Sequence, residues 1–211
     1  MLGRILFFVV TLMVGNVTAG LADKPRVITF IGDSTTSAAY SPPGFPKLVG
    51  KILHVRVHNL AVKFPPSYTT LQALVEELPL VPRDTTDAVL FLGLDDLRYL
   101  GMGATPLDET INANSAIVAK LHARGIRVYQ VLIRDYMKDP MFHPQPRDLE
   151  ALPHVSYFVE KLNAAYRAPG VTIIDAPSWA DVYEGPWSND GIHFEAAALQ
   201  RFARHMADAL R

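Results

Sequence analysis

Five short apolar runs punctuate the chain, at residues 27–31, 55–62, 88–92, 127–133 and 171–174, and stretches of helical period separate them. Such alternation is the pattern of a parallel sheet covered by helices. The third run reads Ala-Val-Leu-Phe-Leu and the fourth contains Val-Tyr-Gln-Val-Leu-Ile. Near-continuous apolar stretches suit strands buried on both faces, so these two are expected at the centre of the sheet. Helices are expected over 46–53, 70–78, 107–124, 155–167 and 195–210. In the last, Leu199, Phe202, Ala203, Met206 and Leu210 recur at helical spacing while Gln200, Arg201, Arg204 and Asp208 point elsewhere, so one face packs on the sheet. The pattern predicts an α/β fold, a three-layer α/β/α sandwich around a five-stranded parallel, flavodoxin-like sheet. The irregular stretches 40–45, 97–106 and 135–153 are expected near the carboxyl ends of the strands, where ligands bind in open parallel sheets.

The amino terminus follows another rule. Arg4 precedes a run from Ile5 to Val14 that is apolar except for Thr11, and a small and polar stretch follows. This predicts a signal peptide over residues 1–22, cleaved after Ala19 or Ala22, a single domain over 23–211, and a secreted or periplasmic product. The competing reading is an uncleaved anchor, but the run falls short of the ~20 residues a spanning helix needs. No later segment is apolar enough to span, so no stable membrane insertion is expected after signal removal.

Composition narrows the partners. With 211 residues, 49% of them hydrophobic, the chain suits one domain with a substantial core. Its 20 basic and 21 acidic residues are mixed, leaving no field of one sign to draw nucleic acid. The absence of cysteine excludes disulfides, thiolate metal sites and a cysteine nucleophile.

Two constellations could carry chemistry. In Phe30-Ile31-Gly32-Asp33-Ser34-Thr35-Thr36 a buried strand runs into a glycine turn and a cluster of hydroxyls. Ser34 would stand at the carboxyl end of the first strand, where N–H groups of a following helix can face an oxyanion. The alternative is that Asp33, Ser34 or Thr35 merely caps that helix. The second constellation, Ser188-Asn189-Asp190-Gly191-Ile192-His193-Phe194, precedes the terminal helix. A histidine acting as base toward a serine must be held in one tautomer, and a carboxylate on its other ring nitrogen does this. Asp190 and His193 are close enough along the chain; the alternative is a loop aspartate and a surface histidine.

Other conspicuous residues have plainer readings. His54 and His58 could share a strand face, but without an acidic cluster at ligand spacing they read as structural or surface histidines, and no metal is expected. His143 and His154 lie in the long loop within reach of a substrate. Trp179, Tyr183 and Trp187 read as packing aromatics or as a platform for sugar rings. Asp175 reads as a turn or cap residue.

Gly-Asp-Ser after the first strand together with Asp-x-x-His before the last helix resembles the opening and closing signature of the SGNH (GDSL) hydrolases, a superfamily of esterases, lipases, thioesterases and carbohydrate deacetylases. The resemblance spans essentially the whole mature chain. It implies the SGNH hydrolase fold, Ser34 as nucleophile, Asp190 as orienting acid and His193 as base. It also implies an acyl ester substrate, such as O-acyl groups of a glycan or a lipid ester, and no cofactor. The oxyanion hole would comprise Ser34, Phe64 and Asp95, and both middle motifs depart from the family pattern. The stretch Asn59-Leu60-Ala61-Val62-Lys63-Phe64-Pro65-Pro66 lacks the family's glycine, leaving Phe64 as the best-aligned N–H donor. Gly93-Leu94-Asp95-Asp96 puts Asp95 where the family has an asparagine. An ionised carboxylate has no proton to donate and repels the charge of the transition state, so impaired activity is expected. Alternatively, Asp95 pairs with Arg98 outside the hole.

Three readings compete. An α/β-hydrolase shares the chain order of Ser, Asp and His, but the second glycine of its nucleophile elbow is missing. A non-catalytic binding protein for an acylated glycan or lipid would explain the altered middle motifs. A flavin or nucleotide binder rests only on the hydroxyls of residues 34–37.

Overall fold

Strands β1 (Val27–Gly32) and β3 (Asp87–Phe91) are buried along their whole length, as continuous apolar runs require. They pair in parallel at the heart of a five-stranded sheet ordered β2-β1-β3-β4-β5, with β2 at Arg56–Asn59, β4 at Arg127–Val131 and β5 at Val171–Ile174. The computed structural model describes residues 24–61, 69–136, 151–175 and 193–211. The third predicted strand holds the centre, and the fourth lies beside it. Strands β1 and β2 on one side and β5 on the other complete the predicted flavodoxin-like α/β order.

Alternation along the strands builds two cores. Ile28, Phe30, Val89 and Phe91 face helices α1 (Phe45–Leu53) and α6 (Ala196–Ala209). There Phe45 meets Phe30 and Phe202 edge-on at centroid distances of 5.5 and 4.9 Å, and Phe194 stacks on Phe202 at 4.6 Å. On the other face Ile31, Ala88 and Leu90 meet the segment that opens with α2 (Thr70–Gln72) and the long helix α4 (Leu107–His122). Helices α3 (Asp96–Gly101) and α5 (Val155–Tyr166) share a third cluster with Leu132 and Ile133, just beyond the end of β4. The sheet therefore forms the middle layer of three.

Several spans differ from expectation, each for a physical reason. The helix expected over 70–78 runs as α only through Gln72, then as a wider π turn (Ala73–Glu77) and a tighter 3-10 turn (Leu78–Leu80). Pro79, which has no N–H, sits in that last turn. Thr69 and Gln72 start the segment by exchanging side-chain bonds to each other's backbone N–H. Residues 97–106, expected to be irregular, begin inside α3, whose six residues are too few for a period to show although Leu97 and Leu100 are buried. The second strand ends at Asn59, earlier than expected. His54 and His58 do not share a strand face: His54 closes α1 in the left-handed region at φ 55°, and only His58 lies on β2, 3.8 Å from Asp84.

The chain turns one way from β1 to β2 and the other way from β3 to β4, so the strand order reverses between β1 and β3. A crevice opens at the carboxyl ends of such a neighbouring pair. There the structure sets Ser34 beside the 93–96 segment.

Candidate active site

Gly32 ends β1 where there is no room for a side chain: a Cβ would stand 2.3 Å from the Thr36 hydroxyl and 3.0 Å from the Phe91 carbonyl. This close approach folds residues 33–36 tightly against β3, where Thr36 N–H donates to Asp33 O at 3.1 Å. The helix that follows Ser34, expected over 46–53, begins at Phe45, so it does not start directly at the serine. Asp33 is not a helix cap; its buried Oδ1 accepts the N–H of Thr35 at 3.0 Å and the hydroxyl of Thr35 at 2.7 Å. Burial pushes the Asp33 carboxyl up, opposed by these bonds and by the charge of His193. Held from below in this way, Ser34 stays half-exposed at the crevice.

His193 arrives from the far end of the chain. Its Nε2 lies 2.9 Å from Ser34 Oγ, across 159 positions of sequence. With a proton on Nδ1, Nε2 accepts from the serine hydroxyl, the geometry by which an imidazole activates a serine. Phe194, next in the chain, fixes this placement twice: its ring stacks on Phe202 of α6, and its N–H donates to the buried Ser41 hydroxyl at 3.0 Å. Tyr40, beside Ser41, lies flat on His193 with ring centroids 4.6 Å apart and planes 12° apart.

The third side of the crevice is the 93–96 segment. Gly93 takes φ 105°, which L side chains rarely adopt, and a Cβ there would press 2.5 Å from Ile133 and 2.7 Å from the Tyr166 hydroxyl. Asp95 follows, half-buried at the start of α3. Asp96 is 2% exposed and accepts from Thr70 N–H at 2.9 Å, Thr70 Oγ1 at 2.8 Å and Thr110 Oγ1 at 3.3 Å. Burial, joined by the charge of Asp33, moves its pKa up to about 6. A third buried acid, Glu77, accepts the N–H of Gly32 at 3.1 Å.

Of the residues expected in the site, Ser34, His193 and Asp95 lie at these carboxyl ends, whereas Asp190 and Phe64 fall outside the described residues, as do His143, Trp179, Tyr183 and Trp187. His154 is exposed at the start of α5, and Asp175, exposed at the end of a described stretch, pairs with Arg167 at 3.1 Å. Tyr40, Ser41 and Glu77 went unnoticed in the sequence. Glu77 left a signal, a charge four residues from Ala73 on an otherwise apolar face; Tyr40 and Ser41 left only their place in an irregular stretch. Among the described residues no group of three or more acids and histidines could hold a metal ion, and no helix is long and apolar enough to cross a membrane.

Comparison with known proteins gives this geometry a lineage. An acetyl xylan esterase superposes with a TM-score of 0.65 at 18% identity, covering 88% of this chain and 100% of its own. A GDSL-like lipase from Bacteroides thetaiotaomicron gives 0.63 at 14%, covering 89% and 88%. The esterase EstA from Pseudoalteromonas sp. gives 0.60 at 18%, covering 88% and 96%. At such identities the likeness establishes the fold, the SGNH hydrolase sandwich. No curated protein matches the chain by sequence. The model of the GDSL-like lipase/acylhydrolase family, however, matches residues 30–201, from the strand that delivers Ser34 into the helix behind His193, and the chain belongs to that family of ester hydrolases.

Proposed function

We propose that the protein is an exported serine esterase in which Ser34 is the nucleophile, His193 the base and Asp190 the acid that orients it. The observation that carries this reading is the 2.9 Å contact between His193 Nε2 and Ser34 Oγ. The Ser34 oxygen attacks the ester carbonyl while its proton passes to Nε2. The tetrahedral intermediate collapses, the C–O bond to the alcohol breaks, and the imidazolium returns the proton to the departing oxygen. Water, deprotonated by His193, then attacks the acyl-enzyme and releases the acid, restoring Ser34. The Ser34 N–H, Phe64 N–H and Asp95 would border the developing oxyanion. O-acyl groups of a glycan or a lipid ester are the substrate class we favour; the acetyl xylan esterase of the same fold supports the first. Residues 1–22 are proposed to direct export and to be removed.

The test is to collect the secreted protein, sequence its amino terminus and treat it with a fluorophosphonate probe beside Ser34→Ala. The expected result is a chain beginning at residue 20 or 23 whose labelling depends wholly on Ser34. Secreted material that still begins at Met1 would contradict the signal peptide. Absence of Ser34-dependent labelling would favour a binding protein on this fold.

A further inference from the structure

A base that shuttles a proton between a nucleophile and a leaving group has two requirements beyond proximity. Its ring plane must hold Nε2 on the nucleophile, and the positive charge it gains must be stabilised without trapping the proton. A carboxylate on the opposite nitrogen serves both from one edge of the ring. The faces of the ring remain free to swing. In this structure Tyr40 lies flat against the His193 imidazole, with centroids 4.6 Å apart and planes 12° apart.

Two adjacent contacts hold this arrangement in register. Residues 40 and 41 meet residues 193 and 194 in order: Tyr40 on His193 by ring stacking, and Ser41 on Phe194 by a 3.0 Å hydrogen bond from the Phe194 N–H. Ser41 is buried, so the second contact anchors the first, while Tyr40 is 37% exposed at the mouth of the crevice. A tyrosine this exposed contributes little to the core. Its π face does, however, attract a cation centred within about 6 Å, and the imidazole becomes one each time Ser34 gives up its proton.

We propose that Tyr40 is a positioning residue for His193, clamping the imidazole plane so that Nε2 faces Ser34 Oγ and stabilising the charge formed on proton transfer. The proposal rests on the reading of His193 as the base. Tyr40 takes no proton in any step, so its hydroxyl is dispensable and its ring is not. The buried Asp33 carboxyl also acts on His193 electrostatically and is common to every variant compared below.

Tyr40→Phe keeps the ring, and Tyr40→Leu fills much of the space without a π face. Leu is expected to lower kcat for a simple aryl ester roughly tenfold with KM changed less than twofold, while Phe retains most of kcat. A readout independent of turnover accompanies this. In the wild type and Tyr40→Phe the imidazole proton signals of His193, identified by their loss in His193→Asn, are shifted upfield by the ring current of residue 40; in Tyr40→Leu they move back. Equal kcat in Leu and Phe, a loss confined to KM, or an unshifted His193 signal in the wild type would overturn the proposal. An upfield His193 signal in a protein with no Ser34-dependent fluorophosphonate labelling would overturn instead the reading on which it rests.

Discussion

Asp95 differs from an asparagine by a few atoms and a full charge, and in the proposed oxyanion hole that difference would bear on rate. An ionised carboxylate beside a developing oxyanion raises the barrier by repulsion, where an amide would lower it by donating a hydrogen bond. The carboxyls of Asp33, Asp96 and Glu77 are already buried at the same end of the sheet, so a further carboxylate is poorly placed to help. Asp95→Asn is expected to raise kcat at neutral pH by ~10-fold or more, with KM little changed. Steady-state kinetics on one ester over a range of pH decide it; identical profiles for the two proteins would place Asp95 outside the oxyanion hole. The oddity of Asp95 was legible in the sequence because a motif gave it a position. The burial of Asp33 was not, since only the fold shows that both its oxygens are buried, Oδ1 with Thr35 as donor and Oδ2 without one among the described residues.

At the scale of elements, the hydrophobic period located every strand and long helix among the described residues, because each buries a stripe or a whole run. It passed over α3, which is shorter than two helical turns. It also passed over the clasp between residues 40–41 and 193–194, because contacts between segments some 150 positions apart leave no local pattern. Yet that clasp, not a helix following Ser34, sets His193 against Ser34. Ser41→Ala tests it from the anchored side. The variant leaves the buried N–H of Phe194 without an acceptor, which costs about 1–3 kcal/mol of stability. It also loosens the segment carrying His193, so kcat should fall several-fold. Urea unfolding and initial rates are the measurements. A fall in stability with kcat intact would show that the Phe194 ring on Phe202 is a sufficient anchor by itself.

Across the whole molecule, the two ends of the sheet treat buried charge differently. At the amino end Asp87, fully buried, meets Arg127 at 2.9 Å and Arg26 at 3.3 Å, and Arg26 also donates to the carbonyl of Leu210, tying the last helix to the strand starts. At the carboxyl end Asp33 and Asp96 are held by hydroxyls and backbone N–H groups, and burial pushes both carboxyls up. The folded chain therefore keeps the proton of Asp96 up to a pH of about 6, whereas the unfolded chain releases it near the ordinary carboxylate value. Between those two values the folded state binds more protons, so the contribution of this group to stability falls as pH rises through the window. Above it, the ionised acid costs on the order of 2–3 kcal/mol relative to the acid side. Asp96→Asn should remove that dependence while keeping the fold. The amide oxygen in the place of Oδ2 can accept from the N–H and the hydroxyl of Thr70, and the amide nitrogen in the place of Oδ1 can donate to the Thr110 hydroxyl, which is able to accept. Denaturant unfolding at a series of pH values should then show the variant gaining on the wild type as pH rises through about 6, by a couple of kcal/mol in all. Parallel curves would mean that Asp96 binds its proton equally in the folded and unfolded chain, and that the carboxyl end of the sheet carries no such cost for holding its acids beneath Ser34.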